Sequence, residues 1–324
     1  MKTLYSIAAS ALLTVTLSAT AQAQADDFPN RPITIIVPFG GGSGSDASAR
    51  YFGEKMGRIL GASIIVENRP GAAGAIGMMT AKKAPADGYT LVQGGISPSV
   101  VNAVLVKDLG YDPVNDFVPL LGYGRNMNVL AAPADSDIEN MADLQKLHEA
   151  SDQSLNVGTF STTLQLAVSW MGDSLGLKFT NIPYKGQAQV LNDLMGKQID
   201  LALIDLGGAT SLLRQGKIRA IAVTGEKRSP DFPDVPTVKE SGASDYVLYS
   251  WNAFFTRSEV PEPIRAKLAD AIKQVMTDPD TINNFYSPKG TEGVPLSSEQ
   301  MRALQTQEIE RFKQVAQKLG IEQR

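Results

Sequence analysis

The chain contains no cysteine and only one histidine among its 324 residues. Without cysteine there is no disulfide scaffold, thiol enzyme, Cys-coordinated metal site or cysteine-linked lipid anchor. With His148 alone, an H-E-x-x-H zinc motif is impossible, and a Ser-His-Asp triad would depend on that one residue. His148 lies in the predicted helix LQKLHEA, and we interpret it as a surface residue.

Basic clusters and catalytic motifs are also missing. The formal net charge is −4 and no run of Lys or Arg interrupts it, so no nucleic-acid partner is predicted. The sequence has no G-x-S-x-G elbow and no S-x-x-K motif, and no spacing of Asp, Glu or His suggests a metal site. We therefore predict a protein that is not an enzyme and has no cofactor.

Long apolar runs are absent except near the N-terminus. Lys2 precedes an apolar stretch over residues 7–17, and small residues follow up to Ala21-Gln22-Ala23. This three-part layout predicts a secretory signal peptide over residues 1–25, cleaved after Ala23 or Ala25. The apolar stretch is too short and too rich in Ser and Thr for a membrane helix. With no lipid anchor predicted, we expect the exported chain to remain in the periplasm.

From Pro32 onward, short β-rich runs alternate with amphipathic stretches, which is the pattern of parallel βαβ units. One such helix is predicted over residues 46–60, with Asp46 as its N-cap. Two α/β halves are predicted, joined by extended segments near residues 120–132 and 246–256. The predicted lobes are residues 26–125 with 251–324, and residues 126–250, and a ligand would bind in the cleft between them.

A glycine cluster follows the first predicted strand, in IIVPFGGGSGSDASAR over residues 35–50. Residues 42–47 match the dinucleotide pattern G-x-G-x-x-G/A, and Glu67 lies where an acidic residue would bind a ribose. However, Pro38 and Phe39 lengthen the turn, and a chain exported by an ordinary signal would arrive unfolded and without cofactor. A Walker A loop is excluded because no Gly-Lys-Ser/Thr follows. We predict a backbone site for a simpler anion.

A series of collinear blocks resembles a known family. They are FPNRPITIIVPF, GGGSGSDASAR, ENRPGAAGAIG, APADGYTL, YDPVNDFVPL, IPYKG, GKIRAIAVT, PDVPTVKESG and YSWNAFFT. Together they resemble the Bug/TctC family, the periplasmic solute-binding proteins of tripartite tricarboxylate transporters. The resemblance extends from about Phe28 to the C-terminal helices. It implies an α/β, two-lobed (Venus flytrap) periplasmic binding protein, each lobe a sheet flanked by helices, which delivers a small organic acid to membrane subunits.

The resemblance also implies where the ligand lies. The loop after the first strand and the corresponding loop in the second lobe grip a carboxylate, and an acidic residue after the IDLALID strand holds a water or a ligand polar group. Residues 94–97 add a further wall. The candidate ligand-binding residues are Phe39, Gly41, Gly42, Ser43, Asp46, Gly95, Ser97, Phe160, Ser161, Thr162, Thr163 and Asp205. Both loops lead into helix N-termini, whose N–H groups and dipoles favour an anion.

Departures from the family pattern affect the expected ligand. Gln165 replaces a usual His, and Gln189 lies where small residues or proline are common. Because Phe160 could form an aromatic wall, an aromatic carboxylate or dicarboxylate is as plausible a ligand as a citrate-type acid. A periplasmic sensor subunit and a cleft enzyme remain the alternatives to a transport receptor, and a monomer is the state expected for transport.

Overall fold

The computed structural model describes residues 27–151, 154–287, 291–318 and 320–323. The predicted signal peptide, residues 1–25, lies outside these ranges. Within them, no helix combines the length and the apolar character that crossing a bilayer requires.

Ten strands form the sheet. They are β1 (Ile33–Val37), β2 (Ile64–Asn68), β3 (Thr90–Gly95), β4 (Phe117–Pro133), β5 (Leu155–Thr159), β6 (Phe179–Pro183), β7 (Leu201–Asp205), β8 (Ile218–Val223), β9 (Tyr249–Arg257) and β10 (Leu296–Ser297).

The helices surround this sheet. They are α1 (Gly44–Leu60), α2 (Ala75–Lys83), α3 (Asn102–Leu105), α4 (Met141–Ser151), α5 (Thr162–Leu175), α6 (Gln187–Met195), α7 (Leu206–Arg214), α8 (Glu262–Thr277) and α9 (Ser298–Lys318). A 3-10 turn over Ala72–Gly74 precedes α2, a π-helical turn over Ser97–Val101 precedes α3, and a second π-helical turn covers Thr281–Tyr286.

Two long strands, β4 and β9, connect two halves of the sheet. The strand order is β2-β1-β3-β9-β4-β7-β5-β6, and β8 and β10 also pair with β4. The first part of β4 pairs with β9, whereas its last residues, from Asn128, pair with β7 and β8. We call the half containing β1–β3 the first lobe and the half containing β5–β8 the second lobe. The residue bounds predicted for the lobes stay a prediction.

Strand direction decides where the lobes face each other. In the first lobe β1, β2 and β3 are mutually parallel, and β3 runs antiparallel to β9, which is antiparallel to β4. In the second lobe β5, β6 and β7 are parallel, and β7 is antiparallel to β4. The carboxyl ends of both parallel sets therefore point toward the crossing from opposite sides. In open α/β sheets, ligands bind at such carboxyl ends.

Apolar packing stabilises each lobe and also connects them. In the first lobe Phe52 of α1 packs against Tyr123 and Phe254, whose rings stack with centroids 4.8 Å apart. Another cluster includes side chains from both lobes together with Phe312 of α9. Burying each such aromatic side chain contributes about 1.5–3 kcal/mol. The C-terminal helix thus forms part of the shared core.

The structure corrects the sequence prediction at two places. Helix α1 begins at Gly44, and its N-cap is Ser43 rather than Asp46; the Ser43 Oγ accepts from the Asp46 N–H. Residues 97–105 form the π-helical turn and α3, which the sequence analysis did not predict. Both polar and apolar side chains of that segment are buried, so its sequence shows no apolar helical periodicity.

Candidate functional site

The first loop, residues 39–46, is shaped by one buried carboxylate. The Gly42 N–H donates to Asp46 Oδ2 at 2.9 Å, and Asn68 Nδ2 donates to Asp46 Oδ1 at 3.0 Å and to the Phe39 carbonyl at 3.1 Å. Arg50, one helical turn later, pairs with Asp46 Oδ1 at 3.0 Å. The Gly42 N–H and Arg50 hold the pKa of the Asp46 carboxyl below its ordinary value. Asp46 is therefore already bonded within the protein.

The glycines of this loop keep its backbone open. Gly42 has a φ of +80°, in the left-handed region that favours glycine. A Cβ at Gly40 or Gly42 would meet nothing within 4 Å among the described atoms, so backbone here faces open space. Ser43 caps α1, and Phe39 is partly buried against the first-lobe core. The loop thus exposes main chain beside the N-terminus of a 17-residue helix.

The second loop follows β5 and leads into α5. Ser161 is the N-cap of α5, and its Oγ accepts from the Leu164 N–H at 3.3 Å. Thr162 is the first helical residue and stays partly exposed. Phe160 is half-buried and packs against two apolar clusters. Ser161 is therefore engaged in capping, and Phe160 contributes to core packing as well as to the loop.

One side-chain hydrogen bond joins the two lobes at the predicted cleft. Ser97, in the turn after β3, and Thr163, in the first turn of α5, have their hydroxyl oxygens 3.0 Å apart. Thr163 is buried, at 5% exposure. Gly95 ends β3 next to Asn252 of β9, and a Cβ there would lie 3.2 Å from the Trp251 carbonyl. The wall predicted over residues 94–97 thus adjoins both the crossing strands and the second loop.

Asp205 ends β7, opposite Asn128 of β4 in the ladder. Its Oδ1 is buried and has no hydrogen-bond partner among the described residues. Burial raises the pKa of Asp205 to about 6, and a hydrogen bond from the Gly207 N–H opposes that rise. Helix α7 begins at the next residue, and Asp205 is its N-cap residue.

A polar strip that the sequence analysis missed lies on the crossing strands. Asn126 pairs with Ser250 in the β4–β9 ladder, and Asn252 accepts from Gln93 Nε2 at 3.0 Å. Three of its buried atoms lack a partner within the described ranges: Gln93 Oε1, Asn126 Oδ1 and Asn128 Nδ2. Side chains two apart on a strand share a face, so Asn-x-Asn in YGRNMNVL and Ser-x-Asn in YSWNAF were the signal.

The predicted residues therefore fall into three groups around the crossing. The first loop lies beyond β1, the residues around Ser97 and the second loop contact each other, and Asp205 lies at the end of β7. In the described part of the chain no three His, Asp or Glu side chains are placed to hold a metal ion.

A separate groove lies away from the crossing and differs from it in charge. It encloses about 750 Å³ between α5, the segment 239–247 and α9. Both charge signs line it, and Lys318 pairs with Asp173 across it at 2.6 Å. Because its charges are of both signs and partly paired, the groove has no positive potential that would attract a carboxylate. None of the sequence-predicted residues lines it.

Comparisons with known proteins agree with this geometry. Residues 48–321 match the family model described as tripartite tricarboxylate transporter family receptor, TctC. A protein from the TAR-I ttuE-ttuC' intergenic region of Agrobacterium vitis, named UPF0065, is 35% identical over 323 residues, covering 95% of this chain and 90% of that protein.

Two solved structures are similar over nearly their whole length. R. palustris Rpa4515 with adipate has a TM-score of 0.81 at 29% identity, covering 92% of this chain and 100% of that one. MatC (Rpa3494) from Rhodopseudomonas palustris with bound malate has a TM-score of 0.75 at 27% identity, covering 89% and 99%. The family match and these structures confirm the two-lobed periplasmic binding protein fold.

Proposed function

Because the chain belongs to the TctC family of tripartite tricarboxylate transporter receptors, we propose that it captures one small carboxylate between its lobes and delivers it to the membrane subunits of such a transporter. It is a periplasmic solute-binding protein and not an enzyme. We also propose that the chain works as a monomer, that residues 1–25 are cleaved off, and that the lobes have the predicted bounds. The partnership with membrane subunits and the identity of the acid are part of the same proposal.

The observation that carries the proposal is the convergence of two loop–helix junctions at the crossing. The loop before α1 and the loop before α5 each bring free backbone N–H groups and a positive helix end toward the carboxyl ends of the strands. A carboxylate there would accept charge-assisted hydrogen bonds of about 1.5–3 kcal/mol each. A few of them suffice for a micromolar Kd, which corresponds to about −8 kcal/mol. No Lys or Arg is needed.

Each residue is proposed to contact the ligand through a group that the protein itself leaves available. Gly41 contributes its backbone N–H group. The Gly42 and Ser43 N–H groups are already donated to Asp46 Oδ2 and to the Gly40 carbonyl, and they hold the loop in shape around the ligand. Thr162 contributes a hydroxyl that the helix cap does not use, and Asp205 an oxygen with no partner among the described residues. Phe39 and Phe160 provide apolar walls. The polar strip of Gln93, Asn126, Asn128, Ser250 and Asn252 forms the floor.

The ligands of the relatives suggest a starting panel. Adipate and malate are aliphatic dicarboxylates of different length. The panel therefore contains both, together with citrate, benzoate and terephthalate, because the partly exposed Phe160 leaves an aromatic acid open. Each acid is matched with its neutral amide.

Thermal unfolding of the refolded protein tests the proposal. A ligand at 100 times its Kd adds about 2.7 kcal/mol of stability, which raises the melting temperature by several degrees. We expect one class of acid to produce this shift and its amide to produce none. If no acid shifts the transition, and mass spectrometry detects no small molecule retained by the refolded protein, the carboxylate proposal is wrong. Uptake of the identified acid by cells with and without the chain tests the transport partnership.

A further inference from the structure

Both peptide groups of Asp205 are held by a single side chain from another element. Gln187, the first residue of α6, accepts from the Asp205 N–H through Oε1 at 3.1 Å. It also donates to the Asp205 carbonyl through Nε2 at 3.1 Å. A primary amide bound in this way reproduces the donor and acceptor that a neighbouring strand would present.

The strand ladder explains why such a substitute is needed. On one side β7 pairs with β4 up to Asp205 and Asn128. On the other side β7 pairs with β5 at Leu201 and Ala202, at its start. The last residue of β7 therefore has a strand partner on one side, and the Gln187 amide occupies the other. Without that amide, the Asp205 N–H at the cleft end of β7 would lose its partner, and the Asp205 carbonyl would keep only the helix bond that an N-cap residue accepts.

The first turn of α7 leaves room for this amide. Gly208 lies beside it, and a Cβ at that position would approach Gln187 Nε2 to 2.4 Å. Gly208 has no positive φ that would itself require glycine. Its lack of a side chain is explained by the passage of the Gln187 amide.

The fixed residue carries the carboxyl group with the unpartnered oxygen. Asp205 Oδ1 is buried, and Asn128 Nδ2, across the same ladder pair, is also buried without a partner in the described residues. An unsatisfied buried polar atom is costly, so proteins keep few of them. The acceptor Asp205 Oδ1 can be satisfied by a hydroxyl or an ammonium group, and a hydroxyl can in addition accept from Asn128 Nδ2.

We infer that Gln187 is a positioning residue: it fixes the Asp205 backbone so that the carboxyl accepts a hydrogen bond from a donor on the ligand, and the cleft thereby favours carboxylates that carry a hydroxyl or ammonium group. This inference depends on the proposed function for its ligand. The two hydrogen bonds by which Gln187 holds the Asp205 backbone, which we call the clamp, do not depend on the proposed function. Asp205 contacts the ligand, and Gln187 acts through Asp205.

Two variants and a matched control test the clamp. Gln187→Met removes both hydrogen bonds at similar side-chain length. Gly208→Ala leaves Gln187 in place but crowds its amide, so it keeps the test informative if Gln187→Met fails to fold. Gln189→Met changes the same residue type on the same helix, where the exposed side chain accepts only from the Lys185 N–H at 3.2 Å.

The first readout needs no ligand. The pKa of the Asp205 carboxyl is measured by ¹³C NMR titration, with Asp205→Asn to assign the signal. We expect about 6 in the unaltered protein and in Gln189→Met. In Gln187→Met and Gly208→Ala we expect a fall toward the ordinary value, because the released strand end turns the carboxyl toward water. An unchanged pKa in both clamp variants would overturn the positioning role.

The second readout is ligand preference. Succinate, malate and aspartate share a four-carbon chain and differ at C2 by hydrogen, hydroxyl and ammonium. Calorimetry should give the unaltered protein at least about a tenfold preference for malate or aspartate over succinate. Gln187→Met should reduce that preference to below about twofold, and Gln189→Met should retain it. Equal binding of all three acids by the unaltered protein would overturn the donor preference. If no carboxylate binds at all, the proposed function fails, and the NMR titration still decides on the clamp.

Discussion

Ser97 and Thr163 form a hydrogen bond of 3.0 Å between side chains that belong to different lobes. Ser97 follows the last strand of the parallel set in the first lobe, and Thr163 lies in the first turn of the helix after β5. Because β4 and β9 are the covalent links between the lobes at this point, a contact beside them opposes opening of the cleft. The bond therefore connects lobe closure to the residues proposed to hold the ligand.

The Ser97–Thr163 bond predicts a coupling that can be measured. Ser97→Ala and Thr163→Val should each weaken binding of the acid found in the melting panel by about two- to tenfold, as expected for one hydrogen bond of about 0.5–1.5 kcal/mol. The double variant should be no weaker than the worse single variant, since both remove the same bond. Calorimetry on the four proteins provides the cycle. Fully additive losses would mean that the two hydroxyls act independently.

The second loop allows helix capping to be separated from ligand binding. Ser161→Ala removes the cap of α5 and should lower the free energy of unfolding by about 0.5–2 kcal/mol. Thr162→Val keeps the cap and the shape but removes the hydroxyl that we propose contacts the carboxylate. It should weaken binding about tenfold with little change in melting temperature. If Thr162→Val binds normally and Ser161→Ala loses only stability, the second loop does not contact the ligand through its side chains.

Asp46 is predicted to act through the shape of the first loop. Asp46→Asn replaces an acceptor with a donor opposite Asn68 and removes the charge that pairs with Arg50. It should cost about 1–3 kcal/mol of stability, and it should weaken ligand binding because the first loop loses the bond through which Asn68 joins Asp46 to the Phe39 carbonyl. Glu54→Gln is the control on the same helix. It breaks only the exposed pair with Arg58, worth about 0–1 kcal/mol. Equal effects of the two variants would contradict this role.

Glu308 predicts a pH dependence of stability. It is buried in α9, and its Oε2 accepts from Trp251 Nε1 on β9 at 3.0 Å. Burial raises the pKa of Glu308 from its ordinary 4.5 to about 7, while Trp251 and Arg311 oppose the rise. The folded protein therefore holds this proton more tightly than the unfolded chain. The stability this provides is complete below about pH 4.5 and is lost as the pH rises through about 7.

Glu308→Gln, which cannot ionise, should accordingly gain stability relative to the unaltered protein as the pH rises from 5 to 8. The gain should be on the order of 1–3 kcal/mol, from the conversion of about 1.4 kcal/mol per pKa unit. Urea unfolding at the two pH values measures it. Glu310→Gln on the exposed side of the same helix is the control. A gain that is the same at both pH values would show that Glu308 does not titrate in this range.

Much of the fold could be read from periodicity. The predicted helix over residues 46–60 appears as α1, which starts two residues earlier and ends at the predicted residue. Apolar spacing reports which face is buried, and this is enough to locate such elements. It does not report capping, so Asp46 was taken as the N-cap although Ser43, three residues earlier, fills that position.

The site was less accessible to sequence reasoning because its functional groups depend on contacts across the fold. The loops around Gly42 and Thr162 could be located, since each connects a strand to a helix. Only the structure shows that the Asp46 carboxylate is already bonded to Gly42, Asn68 and Arg50. The two contacts of Gln187 with Asp205, 18 residues apart in the chain, leave no local pattern at all.

Ligand-induced closure is the most direct test of the account, and the absence of cysteine makes it simple to measure. Arg58→Cys at the exposed end of α1 and Asn192→Cys on exposed α6 place one spin label on each lobe. Double electron–electron resonance then gives the interlobe distance with and without the acid that most raises the melting temperature. If the lobes close on the acid, we expect a shorter, narrower distance distribution with the acid, and a smaller change in Thr162→Val. A distribution that stays unchanged while calorimetry shows binding would contradict capture of the acid between the lobes.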